Sequence, residues 1–194
     1  MSSQMLERFR ADVRRYVKAE PRKSWVGVLL TKEGLWAIAE YRFNHWVHYQ
    51  VKTPGLRQLL KFGGAIAHKF ISLLTGIDLP KEMHIGPGLY ISHKGSIVLH
   101  PFVSIGENCT LSHEVTIGEG GRGEKRGWPK IGDRVYIAPG AKVFGAITIG
   151  HDVAIGANAV VNKSFGNMAV VAGIPAKVLS YRGAGDFIEL EGAS

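Results

Sequence analysis

Apolar residues recur along this chain with two different periods, and the point where the period changes divides it. Met5, Leu6, Phe9, Val13 and Tyr16/Val17 fall three or four residues apart with arginines on their flanks, which is the stripe of an amphipathic helix. Leu35, Ile38, Ala39, Phe43, Trp46 and Val47 make a second broad face from Glu33 to about Tyr49, and a third stretch, Leu56 to Leu74, opens after Pro54-Gly55. The spacing predicts three helices.

Beyond residue 84 the period becomes six. Segments open at Ile85, Ile91, Ile97, Ile105, Leu111, Ile117, Ile131, Ile137, Val143, Ile149, Ile155 and Val161, every one on Ile, Leu or Val. The segment from Ile97 is two residues too long and the segment from Ile117 eight too long. A short strand on each face of a triangular prism satisfies this pattern, with the aliphatic first residue pointing inward and a small residue at the corner. Three hexads make one coil, and the repeat predicts a left-handed parallel β-helix preceded by a helical region. Such a solenoid needs caps, so the helices are expected to close one end and the tail after Pro175 the other. The expected division is 1–80 helical, 81–182 prism and 183–194 tail.

Residues one coil apart lie above one another. His93 and His113 are both third in their hexads, and the interval of 20 equals one coil of 18 plus the two extra residues from Ile97 to Ser104. The two imidazoles should therefore share an outward-facing position, with the long excursion Glu119–Lys130 leaving the prism close enough to wall a cleft over them. Imidazole has the unperturbed pKa suited to taking a hydroxyl proton near neutral pH, so one of the pair is a candidate general base. His45, His48, His68, His84, His100 and His151 show no metal-ligand spacing, and no metal is expected.

Composition follows the same boundary. Residues 1–80 hold six of the 25 glycines and carry 13 basic against six acidic residues, so most of the net charge of +8 belongs to the helices. That charge, with Trp25, Trp36 and Trp46 interleaved, raises nucleic acid or anionic lipid as partners; no nucleic-acid motif is present. Leu56–Leu74 mixes Arg57, Lys61 and Lys69 with a broad apolar face, which suits peripheral membrane contact, but packing against sister subunits is the preferred reading. Cys109 is the single cysteine, which excludes an intrachain disulfide and fits a cytoplasmic protein, with the inner face of the membrane as the other location considered. No apolar run is long enough to span a bilayer, and the start lacks the apolar segment of a secretory signal.

The hexads, the helical stretch LLTKEGLWAIAEYRFNHW, TGIDL before the first coil, ISHKGSIV and VVAGIPAKVL together resemble the hexapeptide-repeat acyltransferases, and within them the serine O-acetyltransferase branch, over roughly residues 20–182. The resemblance implies an acetyl-CoA-dependent O-acetyltransferase with His93 as base, oriented by Asp78 fifteen residues earlier, and His113 in a lesser role. It also implies a trimer, or a dimer of trimers, whose donor cleft lies between two prisms. Coenzyme A would then run along Gly118, Gly120, Ala138, Gly156 and the turn Gly173-Ile174-Pro175-Ala176-Lys177, with Lys163 and Lys177 near its phosphates.

Three departures concern the acceptor. Ser92 stands where the family has an aspartate for the amino group of serine, Gly127-Trp128 stands for an Arg-His pair that holds its carboxylate, and Glu20-Pro21 lies one residue out of step with an Asp-Pro. Each charge-assisted hydrogen bond that these replacements remove is worth about 1.5–3 kcal/mol. That argues for another acceptor hydroxyl, and the sequence looks more like short relatives of this branch that acetylate cell-surface polysaccharides or their precursors. The resemblance therefore implies a saccharide hydroxyl as acceptor, with Ser92, Trp128 and Glu20 as substrate-binding residues. Serine O-acetylation in cysteine synthesis is the alternative, and a prism serving only as a scaffold is the non-catalytic rival.

Overall fold

The structure, a computed structural model, describes residues 3–123 and 126–188. Four helices come first: α1 (Ser3–Ala19), α2 (Trp25–Thr31), α3 (Glu33–Gln50) and α4 (Pro54–Thr75). The unexpected one is α2. Seven residues are too few to display a period, yet Ser24 caps it by accepting from the Gly27 N–H at 3.2 Å, and Val28 is buried beneath it.

The prism has three parallel faces. Face one contains β1 (Ile77–Asp78), β4 (Ile97–Leu99), β7 (Thr116–Gly118), β10 (Lys142–Phe144) and β13 (Val160–Val161). Face two contains β2 (His84–Ile85), β5 (Ser104–Ile105), β8 (Lys130–Ile131) and β11 (Thr148–Ile149). Face three contains β3 (Tyr90–Ile91), β6 (Thr110–Leu111), β9 (Tyr136–Ile137), β12 (Ala154–Ile155) and β14 (Val170–Ala172), with β15 (Lys177–Ser180) antiparallel at its edge. The register stacks the aliphatic positions directly: Ile85, Ile105, Ile131 and Ile149 form one column, and Ile91, Leu111, Ile137, Ile155 and Val171 another. All twelve hexad openings are buried.

Three details depart from the simple repeat. The first rung is Ile77–Asp78, ahead of residue 81. The two extra residues fall within β4, where Ile97 pairs with Ile77 but Leu99 pairs with Ile117. The last coil is two residues short, because Phe165 already bridges to Ile149 and Val171 pairs with Ile155. At the corners Asn108 and Asn158 take φ of 56° and 54°, and each carboxamide lies over Gly88 or Gly140, where a Cβ would collide with it.

An open prism end exposes backbone groups that no previous coil can satisfy. Side chains of α1 and α3 satisfy them here. The Tyr16 hydroxyl donates to the Ile91 carbonyl and accepts from the Ile91 N–H, both at 2.9 Å. Tyr41 does the same between the Met83 carbonyl and the Ile85 N–H. Arg42 donates to the Ile85 and Gly86 carbonyls while gripping Asp12, whose Oδ1 accepts from the Leu89 N–H at 2.8 Å. Burial raises the Asp12 carboxyl against the pull of Arg42. The helices thus cap the prism as expected.

The first part of the tail after Pro175 lies at the far end, where Ala176 is buried and donates to Val160 O and β15 covers the edge of β14. After β15 the tail returns along the side of the prism, where Ala184 N–H donates to Asp152 O and Phe187 stacks on Tyr136 with centroids 5.0 Å apart. Residues 189–194 of the expected tail lie outside the described residues.

Candidate active site

The register of β3 with β6 places Tyr90 over Thr110 and Ile91 over Leu111, so the second residue beyond each strand also stacks. Those residues are His93 and His113. Their rings meet edge to face with centroids 5.8 Å apart and planes at 76°. His93 is exposed; His113 is half-buried, and its Nδ1 is enclosed without a hydrogen-bond partner among the described residues. Lys94 ties the His93 turn to α3 through Glu33 at 3.2 Å, and Gly95, at φ 129°, leaves room beside the His113 Cβ.

The edge that carries this pair continues through the whole prism. Ser92, Ser112, Ala138, Gly156 and Ala172 follow the stacked aliphatic column, and each of the first four donates its backbone N–H to the next coil. At about 4.8 Å per coil, the small-residue edge extends roughly 19 Å from the histidines to the Gly173–Lys177 turn. The side chains here are small by necessity: a Cβ at Gly156 would sit 2.9 Å from that of Ala172. Lys177 pairs with Ala172 across the β14–β15 ladder and is exposed.

Gly118 and Gly120 lie on a different edge, the one that follows face one. Gly118 pairs with Phe144, and a Cβ at Gly120 would press on the Phe144 Cβ at 2.9 Å. Lys163 lies beyond β13 on this side, over the Phe165 ring. The expected donor set is therefore divided between two edges of one chain.

The excursion after Ile117 is a short antiparallel arm. Gly120 and Gly127 exchange backbone hydrogen bonds at 2.9 and 3.0 Å, and Arg126 grips Glu119 at 2.6 Å. That guanidinium holds the Glu119 carboxyl below its ordinary value. Trp128 leaves the arm to stack on His100, with centroids 5.8 Å apart at 12°, and its ring also meets Phe102 at 4.8 Å. Sequence reasoning gave His100 and Phe102 no role. The coil arithmetic that paired the other histidines could have placed His100 beside the arm, since it precedes Gly118 by one coil.

Two expected residues engage other partners. Asp78 Oδ1 faces His68 Nε2 at 3.4 Å, and among the described residues no ion pair joins Asp78 to His93. Glu20 is engaged by Lys32 and, at 3.5 Å, by Lys23, with the Lys32 hydrogen bond lowering its carboxyl; the three tie the α1–α2 link to the start of α3. Cys109 is buried, donates to Gly132 O at 3.1 Å, and its thiol is pushed up to about 12 by burial, so it is packed and not a nucleophile. Among the described residues no group of three or more His, Cys, Asp or Glu could hold a metal, and no helix is long and apolar enough to cross a membrane.

The sequence is 35% identical over 176 residues to a serine acetyltransferase of Mycobacterium tuberculosis, covering 90% of this chain and 73% of the relative. The chain belongs to the serine acetyltransferase family. Solved structures of serine acetyltransferases superpose on it. That of Neisseria gonorrhoeae in complex with serine does so with a TM-score of 0.77 at 28% identity, covering 92% of this chain and 70% of the other. That of Brucella abortus in complex with coenzyme A gives 0.76 at 28% identity, covering 91% and 71%. A scan against protein-family models matched none.

Membership of the serine acetyltransferases corrects the expected acceptor. The polysaccharide reading rested on missing charges at Ser92 and Gly127-Trp128 and on an indole free to carry a sugar. The relatives over nine-tenths of the chain are serine acetyltransferases, and one face of the Trp128 indole already rests on His100.

Proposed function

We propose that this chain transfers the acetyl group of acetyl-CoA to the hydroxyl of serine, with His93 as general base, and that the prism winds left-handed as the hexads imply. The observation that carries the reading is the exposed His93, stacked on His113 at one end of the small-residue edge. In the step proposed, His93 takes the hydroxyl proton as the serine oxygen attacks the thioester carbonyl. The carbon–sulfur bond breaks, and the imidazolium returns its proton to the leaving thiolate, giving O-acetylserine and free coenzyme A. Backbone N–H groups of the edge stabilise the transient oxyanion. Asp78 serves His93 as its orienting carboxylate, and His113 supports the ring from the next coil.

The donor would run from His93 along Ala138 and Gly156 to Gly173, Pro175 and Lys177. Gly118, Gly120 and Lys163 cannot face that edge within one chain. A cleft built from the histidine edge of one prism and the arm-bearing edge of a neighbour uses both sets, which supports a trimer. The exposed apolar stripe of α4, with Leu59, Phe62, Ile66, Phe70 and Leu73 all more than half exposed, is accounted for by the same assembly. Release of free thiol from acetyl-CoA, measured with serine and without it, tests the reading; a rate independent of serine would exclude it.

A further inference from the structure

Three elements bring their polar side chains together beside the first rung of the prism. Glu40 of α3 is 6% exposed at its side chain and accepts from Asn44; its Oε2 lies 3.2 Å from His68 Nδ1. His68 of α4 turns its other nitrogen, Nε2, to Asp78 Oδ1 of β1 at 3.4 Å. Both nitrogens of one imidazole thus face carboxylate oxygens, along one wall of a cavity of about 550 Å³ that Lys61, Lys81 and Glu82 also line.

Asp78 sits on the outermost strand of its face with a side chain about half exposed, so burial does not choose its rotamer. His68 makes the choice, and Glu40 in turn fixes the His68 ring. We propose that His68 is a positioning residue of the acetyl transfer: it holds Asp78 by Oδ1 and leaves Oδ2 to orient His93. This rests on the proposed function, in which Asp78 serves His93. Each ring nitrogen thus has its own carboxylate partner, and burial raises the Glu40 carboxyl against the pull of His68.

The test uses the full-length protein, with thiol release from acetyl-CoA in the presence of serine as readout. Glutamine places a donor near the Nε2 position and asparagine only near Nδ1, so the two separate contact with Asp78 from contact with Glu40. His68→Asn is expected to lower kcat ~10-fold, the size of coupling seen between contacting polar groups, with KM for acetyl-CoA and the melting temperature unchanged. His68→Gln is expected to recover most of that loss. In an Asp78→Asn background, His68→Asn should have no further effect. If asparagine unsettles α4, His68→Leu, of similar volume and without either donor, is read in its place with the same expectation. Parental kcat in folded His68→Asn, or a loss that adds fully to that of Asp78→Asn, overturns the inference alone. Parental kcat in Asp78→Asn removes Asp78 from the mechanism and the inference with it.

Discussion

His93 and His113 touch edge to face at 5.8 Å although a full coil of chain separates them. His93 is the exposed member, whereas His113 is half-buried with its Nδ1 enclosed. His93→Ala is therefore expected to lower kcat by about 10²–10⁴, the range for loss of a general base, while coenzyme A still binds. His113→Ala should cost less. Steady-state thiol release and calorimetric titration with coenzyme A check both; the reverse ranking would assign the base to His113.

The cap can be tested through one oxygen. Tyr16→Phe leaves both the Ile91 N–H and the Ile91 carbonyl without their partner in a fully buried site, so it should cost about 1–3 kcal/mol of stability. Thermal unfolding would register this as a lowered midpoint. An unchanged midpoint would mean that water reaches the prism end.

His45 gives the helical region a pH response. Its Nδ1–H donates to Lys81 O at 2.9 Å, and burial, helped by His84, Arg8 and Arg42, holds its pKa below the ordinary 6.5. The folded state therefore binds fewer protons than the unfolded one, so this contribution is present above pH 6.5 and is lost as pH falls through the depressed native value. Melting temperatures between pH 8 and pH 5 should fall less steeply in His45→Gln. Parallel curves for the two proteins would locate the response in other groups.

The proposed assembly predicts a defined mass. Light scattering should report three chains or a multiple of three, and Ile66→Glu, in the middle of the exposed α4 stripe, should shift the mass toward one chain by placing a charge in an apolar contact. Loss of activity should accompany dissociation, because in the proposed assembly the neighbour completes the cleft. An active single chain would contradict the shared cleft.

The prism was legible in the sequence because its rule is local and repeated: an aliphatic residue every sixth position, with the two long segments countable as exceptions. That arithmetic alone places His93 over His113, since register in a solenoid is cumulative residue counting. It fails where counting is ambiguous. The two extra residues near Ile97 fall within β4, and the short last coil was invisible because Val161 and Phe165 both look like openings.

The partners of side chains that leave the repeat were decided only in three dimensions. Nothing in spacing indicates that Tyr16, Tyr41 and Arg42 close the backbone of the first coil, because they meet it across 75, 42 and 43 residues. Asp78 and His93 are fifteen residues apart in a pattern that suggested a pair, yet packing of α4 against the first rung offers Asp78 the imidazole of His68. Trp128 reads as a free aromatic platform until the arm folds back and lays it on His100. Periodicity specifies the backbone to which side chains are attached; which of them meet depends on how helices and loops outside the period come to rest on it.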